Sequence, residues 1–255
     1  MILSLPLVGY TLKAARRDRL IWIVAITFVL SICMSFFLSS AVITEKDMFA
    51  SVFIAGSLRL FAVVGLVLFI SFYIRRLFDN REIEFLLSRP ISRTSFVLSI
   101  ALALSIVAVF FAGFAIIAVL ASGSANISSA FYIWSASFAV ELLIITNAAL
   151  FFSMVISSAS GSALCTIGFY VFARMMGQLL GISETDATLP GADFLNLIFS
   201  FISMFIPRLD LLTQTSWLVY GVNNVQESLI AIGHGLACIP VLLLAAIFDL
   251  IRREF

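Results

Sequence analysis

The sequence predicts an all-α, polytopic membrane protein, and three observations carry that prediction. Of the 255 residues, 62% are hydrophobic and only 11% are charged, with mean hydropathy +1.17. Soluble domains carry about 25% charged residues, so no ordinary water-facing surface can be built from this chain. Six apolar runs approach or exceed the roughly 20 residues that a helix needs to cross hydrocarbon. The basic residues fall on alternate connections between those runs, as the positive-inside rule requires of a multi-pass protein.

Taken in order, residues 2–19 read as an interfacial helix. Leu5, Val8, Leu12 and Ala15 share one face, and Lys13, Arg16 and Arg17 share another, the pattern of a helix lying in the headgroup layer. Pro6 fits a first turn, where its missing N–H costs nothing. The spans follow at about 20–41, 49–74, 96–120, 131–156, 163–180 and 229–251, within a single domain covering 1–255. The connections are a polar turn at 44–47, a charged stretch at 78–96, a Ser/Gly/Asn loop at 121–129 and a tight turn at 157–162. A long acidic segment at 181–227 precedes the last span. Inside it, residues 194–206 are apolar but too short to span, so a re-entrant or surface-lying helix ended by Pro207 is expected.

Orientation follows from charge. Eleven basic residues (Lys13, Arg16, Arg17, Arg19, Arg75, Arg76, Arg81, Arg89, Arg93, Arg252 and Arg253) fall on one side and two, Lys46 and Arg208, on the other. With the richer side cytoplasmic, both termini are inside, which agrees with an even number of spans. No cleavable leader is expected, because the early positive charges follow the first apolar residues instead of preceding them.

Several function classes lose support. Net charge is +1, so no nucleic-acid partner is implied, and the lipid bilayer is the expected surrounding. No G-x-x-x-x-G-K-[ST], H-E-x-x-H or G-x-S-x-G occurs, and there is one histidine, so an enzyme is not expected. Cys33, Cys165 and Cys238 lie in apolar runs without metal or redox spacing and read as packed thiols. His234, between two glycines, reads as satisfied or water-facing.

Three charges lie inside spans. Arg59 and Glu141 each fall ten residues from the predicted outer end of their span, about 15 Å deep. Arg174 approaches the same level from the other direction. Charge at that depth must face protein or water, so an Arg59–Glu141 pair with Arg174 nearby is expected. It would serve either as a brace that fixes helix register or as a polar lining of a substrate path. Gly177-x-x-x-Gly181 permits a close helix approach, including a dimer contact.

The stretch 78–96 is the one strongly charged, helix-patterned interval between long apolar runs. Asp79 or Asn80 can cap a short helix over about 79–89, Glu82 and Glu84 favour its first turn, and Ile83, Leu86 and Leu87 form its apolar stripe. Pro90 ends it and Ser92 can cap the next span. Its core, Glu84-Phe85-Leu86-Leu87-Ser88-Arg89-Pro90-Ile91-Ser92-Arg93, resembles the cytoplasmic signature of type-2 ABC transporter permeases. Many members carry Gly-Thr where this chain has Arg81-Glu82. Pro207–Leu212 and Trp217–Gly221 also resemble that family's stretch before the last span.

The resemblance implies the membrane subunit of an ABC exporter in a cell (inner) membrane, paired with a second copy or a homologous permease. Asp79, Arg81, Glu82, Ile83, Glu84, Phe85, Leu86, Leu87 and Arg89 would then form a coupling helix docked on a separate ATPase subunit. That partner would bind ATP and Mg, and no cofactor is expected in this chain. The alternatives are a non-transporting scaffold or assembly subunit, and a secondary transporter using Arg59, Glu141 and His234 as an ion relay.

Overall fold

A computed structural model of the chain describes residues 3–41, 46–83, 92–121, 128–185, 206–222 and 224–252. Among them every regular element is helical. The long helices are α1 (Leu5–Arg17), α2 (Arg19–Ala41), α3 (Lys46–Asp79), α4 (Arg93–Ala121), α5 (Ser129–Val155) and α6 (Ala159–Thr185). After α6 come a 3-10 turn at Leu209–Leu211, the single-turn α7 (Trp217–Tyr220) and α8 (Val225–Arg252).

Five of these, α2, α3, α4, α5 and α8, are long and apolar enough to cross a membrane. The chain is therefore a multi-pass membrane protein. At 27 residues α6 is also long enough, but it is not one of the five.

Helix α5 is the central post. Of its most apolar window 72% is buried, against 22% for α2 and 17% for α8. It packs against α3, α4, α6 and α8, and α2 leans on α3 at the periphery. Gly65 makes the α2–α3 crossing possible, because a Cβ there would collide with Val24. Within apolar surroundings the helices are joined by hydroxyls: Ser31 bonds Ser57 across α2–α3, and Ser153 lies 3.4 Å from Ser71 and 3.5 Å from Ser162. Such bonds are worth on the order of 1 kcal/mol each between membrane helices.

Several local expectations are revised. The buried face of α1 is Leu7, Val8, Thr11 and Ala15, while Leu5 is 74% exposed. The face is rotated because α1 packs on α4 and on Tyr73, whose hydroxyl donates to Thr11. Helix α3 runs on through Asp79, which pairs with Arg75 one turn back at 2.6 Å, so Asp79 closes a span instead of opening a new helix. Ser92 does cap α4, accepting from the Ser95 N–H at 3.2 Å. Cys33 and Cys165 face outward, and Cys238 alone is buried.

One end of the bundle gathers the basic residues. Asp18, between α1 and α2, accepts from the Leu20 N–H at 2.9 Å and pairs with Arg76 near the end of α3. Arg93, opening α4, donates to the carbonyls of Leu250 and Ile251, which lack helical partners at the end of α8. These contacts place both ends of the described chain at the same end of the bundle.

Candidate functional site

At the opposite half of the bundle, the segment 206–222 is irregular apart from the 3-10 turn and α7, and it drives into the interior. Leu209, Leu212 and Thr213 are fully or almost fully buried. Irregular backbone at membrane depth survives only where protein satisfies its carbonyls and amides. The intramembrane charges supply that satisfaction.

Arg174, on α6, donates to the Leu209 carbonyl at 2.6 Å, to Leu212 at 2.9 Å and to Thr213 at 3.4 Å. Arg59, on α3, donates to the same Thr213 carbonyl at 2.9 Å. Ser137, on α5, accepts the Thr213 N–H at 3.1 Å. Glu141, one turn along α5 and wholly buried, accepts from the Thr213 hydroxyl through Oε2. Its Oε1 accepts from the Tyr170 hydroxyl at 3.1 Å and lies 3.5 Å from Arg174.

Arg59, Glu141 and Arg174 thus meet, but not as the sequence pattern implies. The carboxylate's ion pair is with Arg174, and Arg59 reaches Glu141 only through Thr213. The reason is the loop: its carbonyls compete for the guanidinium N–H groups, and a guanidinium presents five donors in a fork that can serve several acceptors. Asn147, also on α5, bonds back to its own helix at Leu143 and takes no part.

Thr213 is the centre of this node and carries its strain. Its φ is +52°, the left-handed region that a β-branched residue rarely enters. Such a conformation costs about 1–3 kcal/mol. Thr213 holds it because its amide and hydroxyl are bound from α5 while its carbonyl is bound from α3 and α6. Sequence reading missed Thr213, Ser137 and Tyr170. Two of them left a signal: Ser137 precedes Glu141 by four residues and Tyr170 precedes Arg174 by four, which puts each pair on one helix face.

Gly177 completes the seat. A Cβ there would collide with the Asp210 carboxylate, so the missing side chain admits the inserted loop. Asp210 in turn accepts from Arg208 at 3.0 Å. The close approach that this glycine permits is to the chain's own loop.

The second candidate region is the basic end. After Asp79 the backbone turns at Asn80 and Arg81, whose φ is +53°, and becomes helical again at Glu82 and Ile83. Ile83 is 2% exposed, so this restart is packed on the bundle. Glu82 accepts from the Tyr10 hydroxyl of α1 at 3.0 Å and from the Asn80 amide at 3.3 Å. The bond to Glu82 raises the pKa of the Tyr10 hydroxyl, with desolvation and the nearby negative charge adding to it. Glu84, Phe85, Leu86, Leu87 and Arg89 lie outside the described residues, as does most of the 194–206 interval. His234 lines a cavity between α8 and the loop.

In comparisons with known proteins, no family model matches this chain and no curated protein matches it.

Proposed function

We propose that this chain is the permease subunit of an ATP-driven ABC transporter, an exporter, with six spans and its basic end in the cytoplasm. The span added to the five is α6, which crosses with Arg174 turned to the loop. In this reading the chain does no covalent chemistry, and a separate ATPase subunit holds ATP and Mg. A second permease, identical or homologous, completes the path across a bacterial inner membrane.

The observation that carries the proposal is the helical restart at Glu82–Ile83, held to α1 by the Tyr10 bond and joined to the end of α3 through the Arg81 turn. An element fixed on two sides in this way transmits a push from below to α1 and α3 together. The 84–93 sequence, with its likeness to the coupling segment of type-2 permeases, supplies the surface to be pushed. Rigid-body displacement of packed helices then alters access to the path between permeases.

Against an ion relay stands the bonding of Arg59 and Glu141, committed to the Thr213 carbonyl and the Thr213 hydroxyl respectively.

The test is co-purification with the ATPase encoded beside this chain, recognised by the phosphate-binding loop missing here. Leu86→Arg and Glu84→Arg should abolish complex formation or the stimulation of ATP hydrolysis while the isolated subunit still elutes as a single species. A complex that assembles and hydrolyses ATP normally with either variant would overturn the coupling role. A stable partner with no ATPase activity would favour the scaffold reading.

A further inference from the structure

At the end of the bundle opposite the basic one, the 206–222 segment and the first turns of α8 enclose a cavity of about 910 Å³. That volume accommodates a drug-sized ligand or a lipid headgroup with the start of its chains. The α8 wall is one helical face, with Glu227, Ile230, Ala231 and His234 at i, i+3, i+4 and i+7. Arg208, Leu211 and Trp217 form the loop side. Arg59, Glu141 and Arg174 do not line it, so the cavity is separate from the Thr213 node.

Two opposite charges line this cavity without pairing with each other. Arg208 is bonded to Asp210 by one terminal nitrogen, and its side chain remains 34% exposed. Glu227 accepts from the Asn224 amide at 2.7 Å through Oε1 alone. Leu211, Trp217, Ile230 and Ala231 supply apolar wall. A ligand with one charge would meet one of these groups favourably and oppose the other. A ligand bearing both charges satisfies both. The mouth is apolar and aromatic, with Tyr220 84% and Ile230 64% exposed, as at a headgroup boundary.

We propose that the cavity binds a zwitterionic amphiphile, its anionic group at Arg208 and its cationic group at Glu227, with the chains leaving past Ile230 and Tyr220. This site is independent of the transporter reading, since it needs neither an ATPase nor a second permease.

The test follows Trp217 emission of the full chain in detergent. The probes are dihexanoyl phosphatidylethanolamine, dihexanoyl phosphatidylglycerol and O-phosphoethanolamine. The zwitterionic lipid should titrate saturably, and the anionic lipid should bind at least about tenfold more weakly, a difference of about 1.4 kcal/mol. Glu227→Gln keeps the Asn224 bond and removes the charge. It should weaken the zwitterionic lipid about tenfold while elution and thermal midpoint stay unchanged. The signal should vanish in Trp217→Phe. Binding of O-phosphoethanolamine as tight as the lipid would identify a soluble headgroup as the ligand, and its failure to bind would identify the bilayer as the source. Equal affinity for the two lipids, or an unaltered titration in Glu227→Gln, would overturn the proposal and leave chain partitioning as the cause.

Discussion

The two halves of this bundle use charge in opposite ways. Around Thr213, one carboxylate and two guanidiniums are held in the interior by at least three helices and a loop, and almost every polar atom has a fixed partner. At the basic end each contact has at least one well-exposed partner, and the groups meet in pairs: Arg75–Asp79, Arg76–Asp18, and Tyr10 with Glu82. Magnitudes separate them. Breaking a buried pair by removing one partner costs about 3–5 kcal/mol, whereas exposed pairs contribute about 0–1 kcal/mol. One half is therefore locked, and the other is joined by contacts weak enough to rearrange under a modest load. A bundle that transmits motion from one end needs that asymmetry, because the contacts that move cannot be those that hold the fold.

The largest test of this contrast is Glu141→Ala. It leaves Arg174 without its counter-ion and releases the Thr213 and Tyr170 hydroxyls. Stability should fall by about 3–5 kcal/mol, read as a lowered thermal midpoint in detergent. Protease cleavage should then appear within 206–222 before the helices unfold. Cleavage no faster than in the wild type would mean that the loop is held by its apolar residues alone. Next in size is Gly177→Val, which forces side-chain volume into the Asp210 seat. Overpacking of this kind costs about 1–3 kcal/mol, and the same loop-specific cleavage should follow with Glu141 untouched. If Gly177→Val leaves the loop protected but blocks self-association, the glycine belongs to a dimer contact.

The long apolar runs told most of the fold, since hydropathy and length are local properties and each predicted span coincides with a helix. The boundary at Asp79 was not legible. Whether a helix stops at a capping residue or runs past it depends on the Arg75 pairing and on packing of the following turn, neither of which a capping preference contains. The three intramembrane charges were legible as a group because depth along a helix is simple arithmetic. Their partners were not, because nothing in Pro207–Thr213 reveals that its carbonyls enter the bundle. Once the loop is inserted, Arg59 bonds an oxygen of Thr213 in preference to a carboxylate already occupied by Arg174 and two hydroxyls. On α1 the pattern identifies Val8 and Ala15 correctly but takes Leu5 and Leu12 for Leu7 and Thr11, for a similar reason: Thr11 is buried through Tyr73, a partner 62 residues distant.

At the basic end the effects should be small in stability and large in coupling. Arg76→Ala removes an ion pair in which the arginine side chain is 55% exposed, so about 1 kcal/mol or less should be lost. Asp18→Ala removes the same pair and also the cap on the Leu20 N–H, adding about 0.5–2 kcal/mol. The ordering of the two variants in thermal midpoint measures the cap by itself. Equal midpoints would show that the Leu20 amide finds water or another acceptor without penalty.

The smallest effect sharpens the comparison through pH. The Tyr10 hydroxyl donates to Glu82, and its pKa is raised above the ordinary 10.0, chiefly by that bond. A raised value in the folded state means that the contact contributes fully below pH 10 and is lost as pH climbs through the elevated pKa. The α1 contact to the restarting helix is therefore constant across physiological pH and releases only in alkali. With Cys33 and Cys165 replaced, the distance between spin labels attached to cysteines at Leu12 and Asn80 should hold steady from neutral pH upward and widen only beyond pH 10. Tyr10→Phe should give the longer distance below the alkaline step and show no step of its own. A step surviving in Tyr10→Phe would assign the alkaline release to another group and remove Tyr10 from the link between α1 and the segment after α3.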